Sequence, residues 1–490
     1  MSAPRLESLS QLPASVAGPE YEPSAQGVGI VHFGLGAFHK AHQAFYTDRA
    51  LALSGGDWKI VGVSLRSREI PQRLNEQNGL YTLVTRASDN HSAQVIASID
   101  HALHGQDNRQ EILSLLASPT IRIVTSTVTE KGYGIDRQDG TVDLAHSVIA
   151  ADLQNPDEPS GIIGFLVKSL AERRKLGVPA FTVLCCDNLP NNGQLLRSGV
   201  LDFAQRLDPQ LASWIDQHVP FPSSMVDRIT PAPTSETRDS VREHTGLEDL
   251  AAVECEAFHQ WIIEDNFALD KPDWAAVGAM FTTDVQAFER MKLRMLNGTH
   301  SLLAYAGCLT GCRYVRDVMQ DTSLQLLAKR HLECAAATLE KIPGMDYNAY
   351  AAQLIERFTN TAIAHETRQI AMDGSQKLPQ RLFSPALDAL NRNQPVHAFA
   401  FATALWMRFC TGRCDSGETY KIEDPLSDTL QDAATCSPEA ADIVNAFCRI
   451  EGLFPNELAR HSRWQSTLVQ SLRDMQHHGV KAYSDSEAKA

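Results

Sequence analysis

Val28-Gly29-Ile30-Val31-His32-Phe33-Gly34-Leu35-Gly36-Ala37-Phe38-His39 is the stretch on which the fold turns. Its first six residues are mostly apolar and β-branched, the pattern of a short buried strand. A glycine-rich turn follows, and then a helix-like stretch from Ala37 to about Leu53. A strand, a Gly-x-Gly turn and a helix in that order suit a dinucleotide. The first glycine permits the tight turn, and the second lets the backbone approach a pyrophosphate. The helix N-terminus then supplies N–H groups and a favourable dipole. Gly34, Gly36, Ala37 and Phe38 are therefore the expected cofactor-facing residues. His39 occupies the place of the third glycine of GxGxxG. A lone GxG is a weak motif, and its position after a strand and before a helix is what gives it weight.

Outward from this stretch, Lys59–Leu65, Ile121–Val128 and Ala180–Cys185 read as further apolar strands, with helical patterns such as Ile162–Lys175 between them. Strands alternating with helices imply a parallel sheet with crossover helices. From about residue 284 the pattern changes to long helical segments: Val285–Leu309, Leu324–Lys341, Asp346–Phe358, Val396–Cys410, Asp442–Ile450 and Gln465–His478. The expected division is an α/β domain over 1–284, with a polar N-terminal extension, and a mainly helical domain over 285–490. The tail after Tyr483 reads as loose. There is no internal repeat.

Composition bounds the function. The 490 residues are 43% apolar and 21% charged, ordinary for a globular chain. The net charge of −15 argues against a general nucleic-acid binder, which needs clustered Lys and Arg. It leaves room for an anionic small molecule held by a few local cations. No apolar run reaches the roughly 18 residues of a membrane span. Met1–Glu20 lacks the pattern of a signal peptide, so a cytoplasmic protein is expected. The ten cysteines are too dilute for a disulfide scaffold. The Cys308/Cys312 and Cys410/Cys414 spacings do not match a zinc site, and free thiols are the expectation.

After the second strand, Glu69 is the candidate for the ribose hydroxyls, which favours NAD(H). Arg66 and Arg68 beside it could instead accept the 2′-phosphate of NADP(H), the less favoured cofactor. An exposed charged loop is the alternative for all three residues. His39 and His42, three apart, read as packing or nucleotide contacts rather than metal ligands.

The segment Glu289–Ser301 (ERMKLRMLNGTHS) is the richest in chemistry. On an α-helix at about 100° per residue, Lys292, His300 and Asn297 fall at roughly 0°, 80° and 140°. A lysine, an imidazole and an amide on one face suit alcohol oxidation. The lysine can act as base if its surroundings lower its pKa, and the other two can act as oriented donors. A solvated polar face is the plainer alternative. No YxxxK occurs in the chain, and no Cys/His set resembles a catalytic zinc site, so a metal-free lysine mechanism is the expectation.

Seven segments spread in order over most of the chain carry a family resemblance: Gly34–Gln43 (GLGAFHKAHQ), Thr127–Tyr133 (TVTEKGY), Cys186–Pro190 (CDNLP), Met225–Pro231 (MVDRITP), Gln260–Phe267 (QWIIEDNF), Lys292–Ser301 (KLRMLNGTHS) and Asp373–Arg381 (DGSQKLPQR). Together they resemble the long-chain polyol dehydrogenases, or mannitol dehydrogenase family. The resemblance implies an N-terminal Rossmann-type domain, a mainly helical C-terminal domain and an active site between them. It implies NAD(P)-dependent, zinc-independent oxidation of a secondary alcohol, reversible as ketose reduction. It makes Lys292 the catalytic base, Asn188 and Asn297 the amides that hold the reacting oxygen, and His300 the histidine beside them. Glu289 matches a proton-relaying acid, Arg368 and Lys377 match substrate-binding cations, and Asp227 matches a substrate-side acid.

Two branches of the family compete. TEKGY with Lys131, together with MKLRMLNGTHS and MDGSQKLPQR, looks like the branch that interconverts D-mannonate and D-fructuronate. Arg368 looks like the branch that interconverts D-mannitol and D-fructose. A substrate carboxylate calls for extra cations, and Arg368, Lys377, Lys131 and Arg381 are candidates. The resemblance favours the fructuronate reductase branch, acting as a monomer on a small sugar acid or polyol. A non-catalytic dinucleotide sensor has no use for Lys292, Asn188, Asn297 and His300 together. A decarboxylating or epimerising enzyme on the same fold would be separated by stoichiometric NADH consumption.

Overall fold

A computed structural model describes residues 3–87, 91–128, 132–136 and 139–489. The chain forms two compact units, Met1–Gln286 and Ala287–Ala490.

Among its described residues the first unit holds eleven strands in chain order: β1 Val28–Phe33, β2 Lys59–Ser64, β3 Tyr81–Arg86, β4 His91–Ile96, β5 Ile99–His104, β6 Ile123–Ser126, β7 Thr182–Cys185, β8 Ser224–Asp227, β9 Val253–Glu256, β10 Gln260–Glu264 and β11 Met280–Thr282. Five of them make a parallel sheet in the order β5-β2-β1-β6-β7. Counting only these five along the chain, the order is 3-2-1-4-5, that of a Rossmann sheet. The order reverses between β1 and β6. Ligands of such sheets bind at the carboxyl ends of the strands at that point, here Phe33-Gly34 and Ser126-Thr127.

The sheet forms because its strands are apolar on both faces, as parallel strands covered by helices must be. Val31 and Phe33 of β1 pack with Val61, Val63, Val124 and Val183, beneath the helix Ile162–Leu176. Ile30 faces the opposite way, with Ile60, Ile123 and Leu184, against Ala41, Ala44 and Leu51. Each of the larger side chains contributes about 1.5–3 kcal/mol by burial. Two three-stranded sheets, β4-β3-β9 and β11-β10-β8, complete the unit. Most of their strands carry no strong apolar pattern and were not expected from the sequence. Trp261 of β10 is fully buried, 4.7 Å from Trp274 and 5.4 Å from Tyr46.

The second unit is helical among its described residues. At its centre runs Gly298–Thr310, buried on every side from Gly298 to Leu309. A helix enclosed all round needs no polar face. It packs against Thr367–Ala371, His397–Phe409, Thr322–Ala337 and Ser462–Glu487.

Three expectations need correction. The helix expected over Ala37–Leu53 is two helices, Ala37–Ala41 and Gln43–Ser54, broken at His42, whose φ of −123° and ψ of −89° are not helical. His42 instead turns its ring inward, with Nε2 2.9 Å from the Gln260 carbonyl oxygen. The helix expected over Val285–Leu309 is interrupted by a wider π-helical turn at Lys292–Asn297. The tail after Tyr483 is not loose. Helix Ser462–Glu487 continues through it past a break at Gly479, Ser484 is buried, and Ser323 Oγ lies 2.6 Å from Asp485 Oδ1.

Candidate active site

In the first unit, Gly34 leaves β1 with φ +96°. A Cβ on it would lie 2.1 Å from the Thr127 carbonyl oxygen, so only glycine lets the end of β1 meet the end of β6 here. Gly36 caps the helix Ala37–Ala41, and a Cβ there would meet nothing closer than the Gly34 carbonyl oxygen at 3.7 Å. That open face is what a backbone offered to a pyrophosphate requires, so the turn fits a dinucleotide. Ala37 and Phe38 form the first turn of the helix. A cavity of about 220 Å³ borders Leu35, Gly36, Ala37 and Lys40, and Ile70 and Arg73 on its other side. His39 is fully buried with its ring stacked 3.4 Å from that of His32 in β1. Ring stacking thus makes the helix–strand contact that a third glycine would make.

At the end of β2, Glu69 opens the helix Glu69–Asn75 and is ion-paired with Arg73, one turn on. Arg68 holds Asp107 through two hydrogen bonds of 2.6 and 2.8 Å. Arg66 is exposed. The acid and one of the two arginines weighed for the ribose are therefore already engaged with other side chains.

Asn188 is exposed in the loop after β7. Its neighbour Asp187 accepts hydrogen bonds from the Val128 backbone N–H at 3.1 Å and from the Tyr133 hydroxyl, which ties this loop to the end of β6. Asn192 holds the other side of the loop, donating from Nδ2 to the carbonyls of Asp187 and Ser224 at 2.9 and 2.8 Å. Asp227 is buried at the end of β8, opposite Gln260, and its charge bears on His42. Lys131 and the rest of the TEK segment lie outside the described residues.

In the second unit, Lys292 opens the π-helical turn and Asn297 closes it. Hydrogen bonding from i to i+5 widens a turn, and such turns are frequent at functional sites. On an α-helix the two side chains would diverge by about 140°. The wider turn draws them toward one side. Lys292, Asn297 and His300 are each less than a tenth exposed. Glu289, on the preceding helical turn, is also buried.

His300 meets the Phe358 ring at 4.7 Å and, edge-on, the His365 ring at 5.0 Å. Burial, and then the charges of His365, Arg357, Arg381 and Lys292, hold it well below the ordinary histidine range, so it is neutral near pH 7. Burial and Arg357 likewise push His365 down to about 4. Arg357 and His365 were not anticipated from the sequence. They lie far along the chain from Lys292, on a helix and in a turn that carry no motif.

A second π-helical turn, Pro379–Phe383, packs against the first. Gly298 makes this possible, because a Cβ there would lie 3.0 Å from the Arg381 carbonyl oxygen and 2.9 Å from His331. The Arg381 side chain reaches Ser301 Oγ at 3.1 Å. The LNGTHS and DGSQKLPQR segments are thus one structure. Lys377 Nζ donates to the Met372 carbonyl at 2.8 Å. Arg368 stands apart. Its guanidinium is 3.9 Å from Glu418 and 5.2 Å from the Tyr420 ring centre, and its charge bears on Cys308. Cys308 lies eight residues beyond His300 on the same helix, about 12 Å along its axis.

A dinucleotide turn on a 3-2-1-4-5 sheet, followed by a helical unit with a buried lysine, amide and imidazole, defines a Rossmann-domain oxidoreductase. Comparison with known proteins gives the family. Residues 28–276 match the mannitol dehydrogenase Rossmann domain and residues 284–476 the mannitol dehydrogenase C-terminal domain. The chain belongs to the mannitol dehydrogenase family. It is 41% identical to D-mannonate oxidoreductase of Escherichia coli over 96% of this chain and 98% of that protein. It is 34% identical to a mannitol 2-dehydrogenase of Phaeosphaeria nodorum over 97% and 84%. Among solved structures it resembles Pseudomonas fluorescens mannitol 2-dehydrogenase in ternary complex with NAD and D-mannitol. That match has a TM-score of 0.86 and 35% identity, and it covers 99% of both chains. Among the described residues, no helix is long and apolar enough to cross a membrane.

Proposed function

We propose that this protein is an NAD(H)-dependent, metal-independent oxidoreductase that interconverts D-mannonate and D-fructuronate, with Lys292 as general acid/base. The observation that carries the substrate is the charge around His300. Lys292 and Arg357 are buried, Phe358 beside Arg357 packs on the His300 ring at 4.7 Å, and Arg381 reaches Ser301, next to His300, at 3.1 Å. A carboxylate-bearing ketose fits such surroundings, because cations form strong charge-assisted hydrogen bonds with carboxylates. The 41% identity to a D-mannonate oxidoreductase supports the same reading.

When bound, the reduced dinucleotide supplies the hydride that goes to the ketose carbonyl carbon. The protein's part is to hold the carbonyl oxygen and to give it a proton. Asn297 and Asn188 are assigned the amides that donate to that oxygen. Neutral His300 adds a donor without adding a charge. The Lys292 ammonium gives its proton to the developing alkoxide, and in alcohol oxidation the neutral amine takes it back. Glu289, one helical turn before Lys292, is assigned the exchange of that proton with water. Lys377 and Asp227 are assigned to the substrate hydroxyls. Arg368 belongs with them only if it leaves Glu418. Gly34, Gly36, Ala37 and Phe38 are assigned the pyrophosphate, and Glu69 with Arg66 the adenosine ribose. The reading includes a monomer in the cytoplasm.

Interconversion of D-mannitol and D-fructose is the other reading. It draws on the 35%-identical relative solved with D-mannitol. NADH oxidation by the purified protein, without added metal, tests the two side by side. D-Fructuronate is expected to exceed D-fructose in kcat/KM by about 100-fold or more, the scale of about 2.7 kcal/mol for a well-held carboxylate. A preference for D-fructose would overturn the assignment.

A further inference from the structure

Beneath the Gly34 turn lies a polar set that apolar packing does not require. His32, Gln43 and Thr125 are buried between β1, β6 and the helix Gln43–Ser54. His32 Nδ1 is 2.8 Å from Thr125 Oγ1, and His32 Nε2 is 2.9 Å from Thr127 Oγ1. Thr127 Oγ1 is 2.8 Å from the Gly34 carbonyl oxygen. Thr125 Oγ1 is 3.1 Å from Gln43 Oε1, while Gln43 Nε2 is buried without a partner.

Counting protons gives this set a direction. A threonine hydroxyl has one proton, and a carbonyl can only accept. Thr127 therefore donates to Gly34 and accepts from His32 Nε2–H. A second proton on His32 would create a buried cation with no acid in the set. Burial drives the His32 pKa down to about 3, so the ring is neutral. Nδ1 is then bare and accepts the Thr125 proton, which leaves Thr125 nothing to give Gln43. Turning the Gln43 amide over lets Nε2 donate to Thr125 and removes the orphaned donor. Every donor then points one way: Gln43 to Thr125, to His32, to Thr127, to the Gly34 carbonyl.

We propose that this one-way chain is a positioning device for the dinucleotide, with His32 and Thr127 as positioning residues that fix the Gly34 carbonyl and hence the turn that receives the pyrophosphate. Both act through the Gly34 carbonyl, His32 by way of the Thr127 hydroxyl. The Thr127 carbonyl already bars any side chain at Gly34, so one residue pins the turn through both its backbone and its hydroxyl. The His39 ring stacked on His32 leaves the imidazole no room to turn away. The inference rests on the reading that the chain binds NAD(H).

Two measurements test it. In full-length protein with ¹⁵N-labelled histidines, long-range ¹H–¹⁵N spectra should show His32 as the neutral Nε2–H tautomer from about pH 5 to 9, a range over which an ordinary histidine titrates. An Nδ1–H tautomer, or an imidazolium appearing near pH 6, overturns the chain of donors. The second measurement is NADH affinity by fluorescence titration. Thr127→Val should weaken it about tenfold, the scale of one buried hydrogen bond, with kcat at saturating NADH held within about twofold. Thr127→Ser, which keeps the hydroxyl, should stay within about twofold of the wild type in both. His32→Leu should follow Thr127→Val. Unchanged affinity in Thr127→Val, or a loss confined to kcat, overturns the proposal. Failure of the wild type itself to bind NADH would instead overturn the cofactor reading, and the positioning role with it.

Discussion

At Gly34–Phe38 the groups offered to a ligand are backbone groups, and the residues that matter have little or no side chain. At Lys292–His300 they are side chains, and the backbone matters by the way it winds. The first region works through a glycine at φ +96° pressed onto the neighbouring strand. The second works through a turn of π-helix that brings a lysine and an amide five residues apart toward one side. A backbone site tolerates almost no change of residue at its hinge. A side-chain site tolerates change in the residues that only pack, but not a change of register.

The strongest way to break this comparison is to insert an alanine after Leu293, a partly exposed residue within the π-helical turn. The insertion should add one residue to the turn and rotate Lys292 by about 100° relative to Asn297. The protein should stay folded by circular dichroism while kcat falls about 1,000-fold, the range of a lost acid–base group. Near-normal turnover would show that the register of Lys292 against Asn297 is incidental.

Gly34→Ala is the matching change in the first region. The added methyl meets the Thr127 carbonyl, and the positive φ adds strain of about 1–3 kcal/mol. NADH affinity should fall about 100-fold, with a lower melting temperature and a smaller effect on kcat at saturation. Wild-type affinity would mean that the turn does not set cofactor binding.

A smaller effect is shared by both regions and comes from buried histidines. His32 and His42 in the first unit are held down to about 3, and His331 and His365 in the second to about 4, all by burial. Their folded pKa values lie below the unfolded value of 6.5. The unfolded chain therefore takes up protons first as the pH falls. The stability they contribute is present above about pH 6.5 and is lost through the window down to about pH 3–4. Each histidine in that window costs about 1.4 kcal/mol per pH unit. Urea midpoints at pH 8 and 5.5 should differ clearly, before most carboxylates titrate. A midpoint flat across that range would mean that these rings are less enclosed than described.

The two regions also differ in how far their sequences disclosed them. The Gly34 turn was legible because its geometry demands glycine and because the strand before it is apolar without interruption. The residue types at Lys292, Asn297 and His300 were legible as chemistry, and DGSQKLPQR was legible as a motif. Their geometry was not. A π-helical turn has no propensity signature, and this one packs against a second such turn, Pro379–Phe383, from elsewhere in the chain. Arg357 and His365 were missed because nothing in their own neighbourhoods marks them, and they reach His300 only through tertiary packing. The strands of the two smaller sheets were missed for a related reason. A stretch such as Val253–Glu256 is short and is held by pairing with Tyr81–Arg86, far along the chain.

The central claim is that Lys292 moves the substrate proton and takes no part in holding the cofactor. Lys292→Ala, assayed for turnover with D-fructuronate and for NADH binding by fluorescence, tests it most directly. The account predicts that kcat falls by about 1,000-fold or more while the NADH Kd stays within about twofold of the wild type. Retained turnover in a folded variant, or a loss explained by weaker NADH binding, would contradict it.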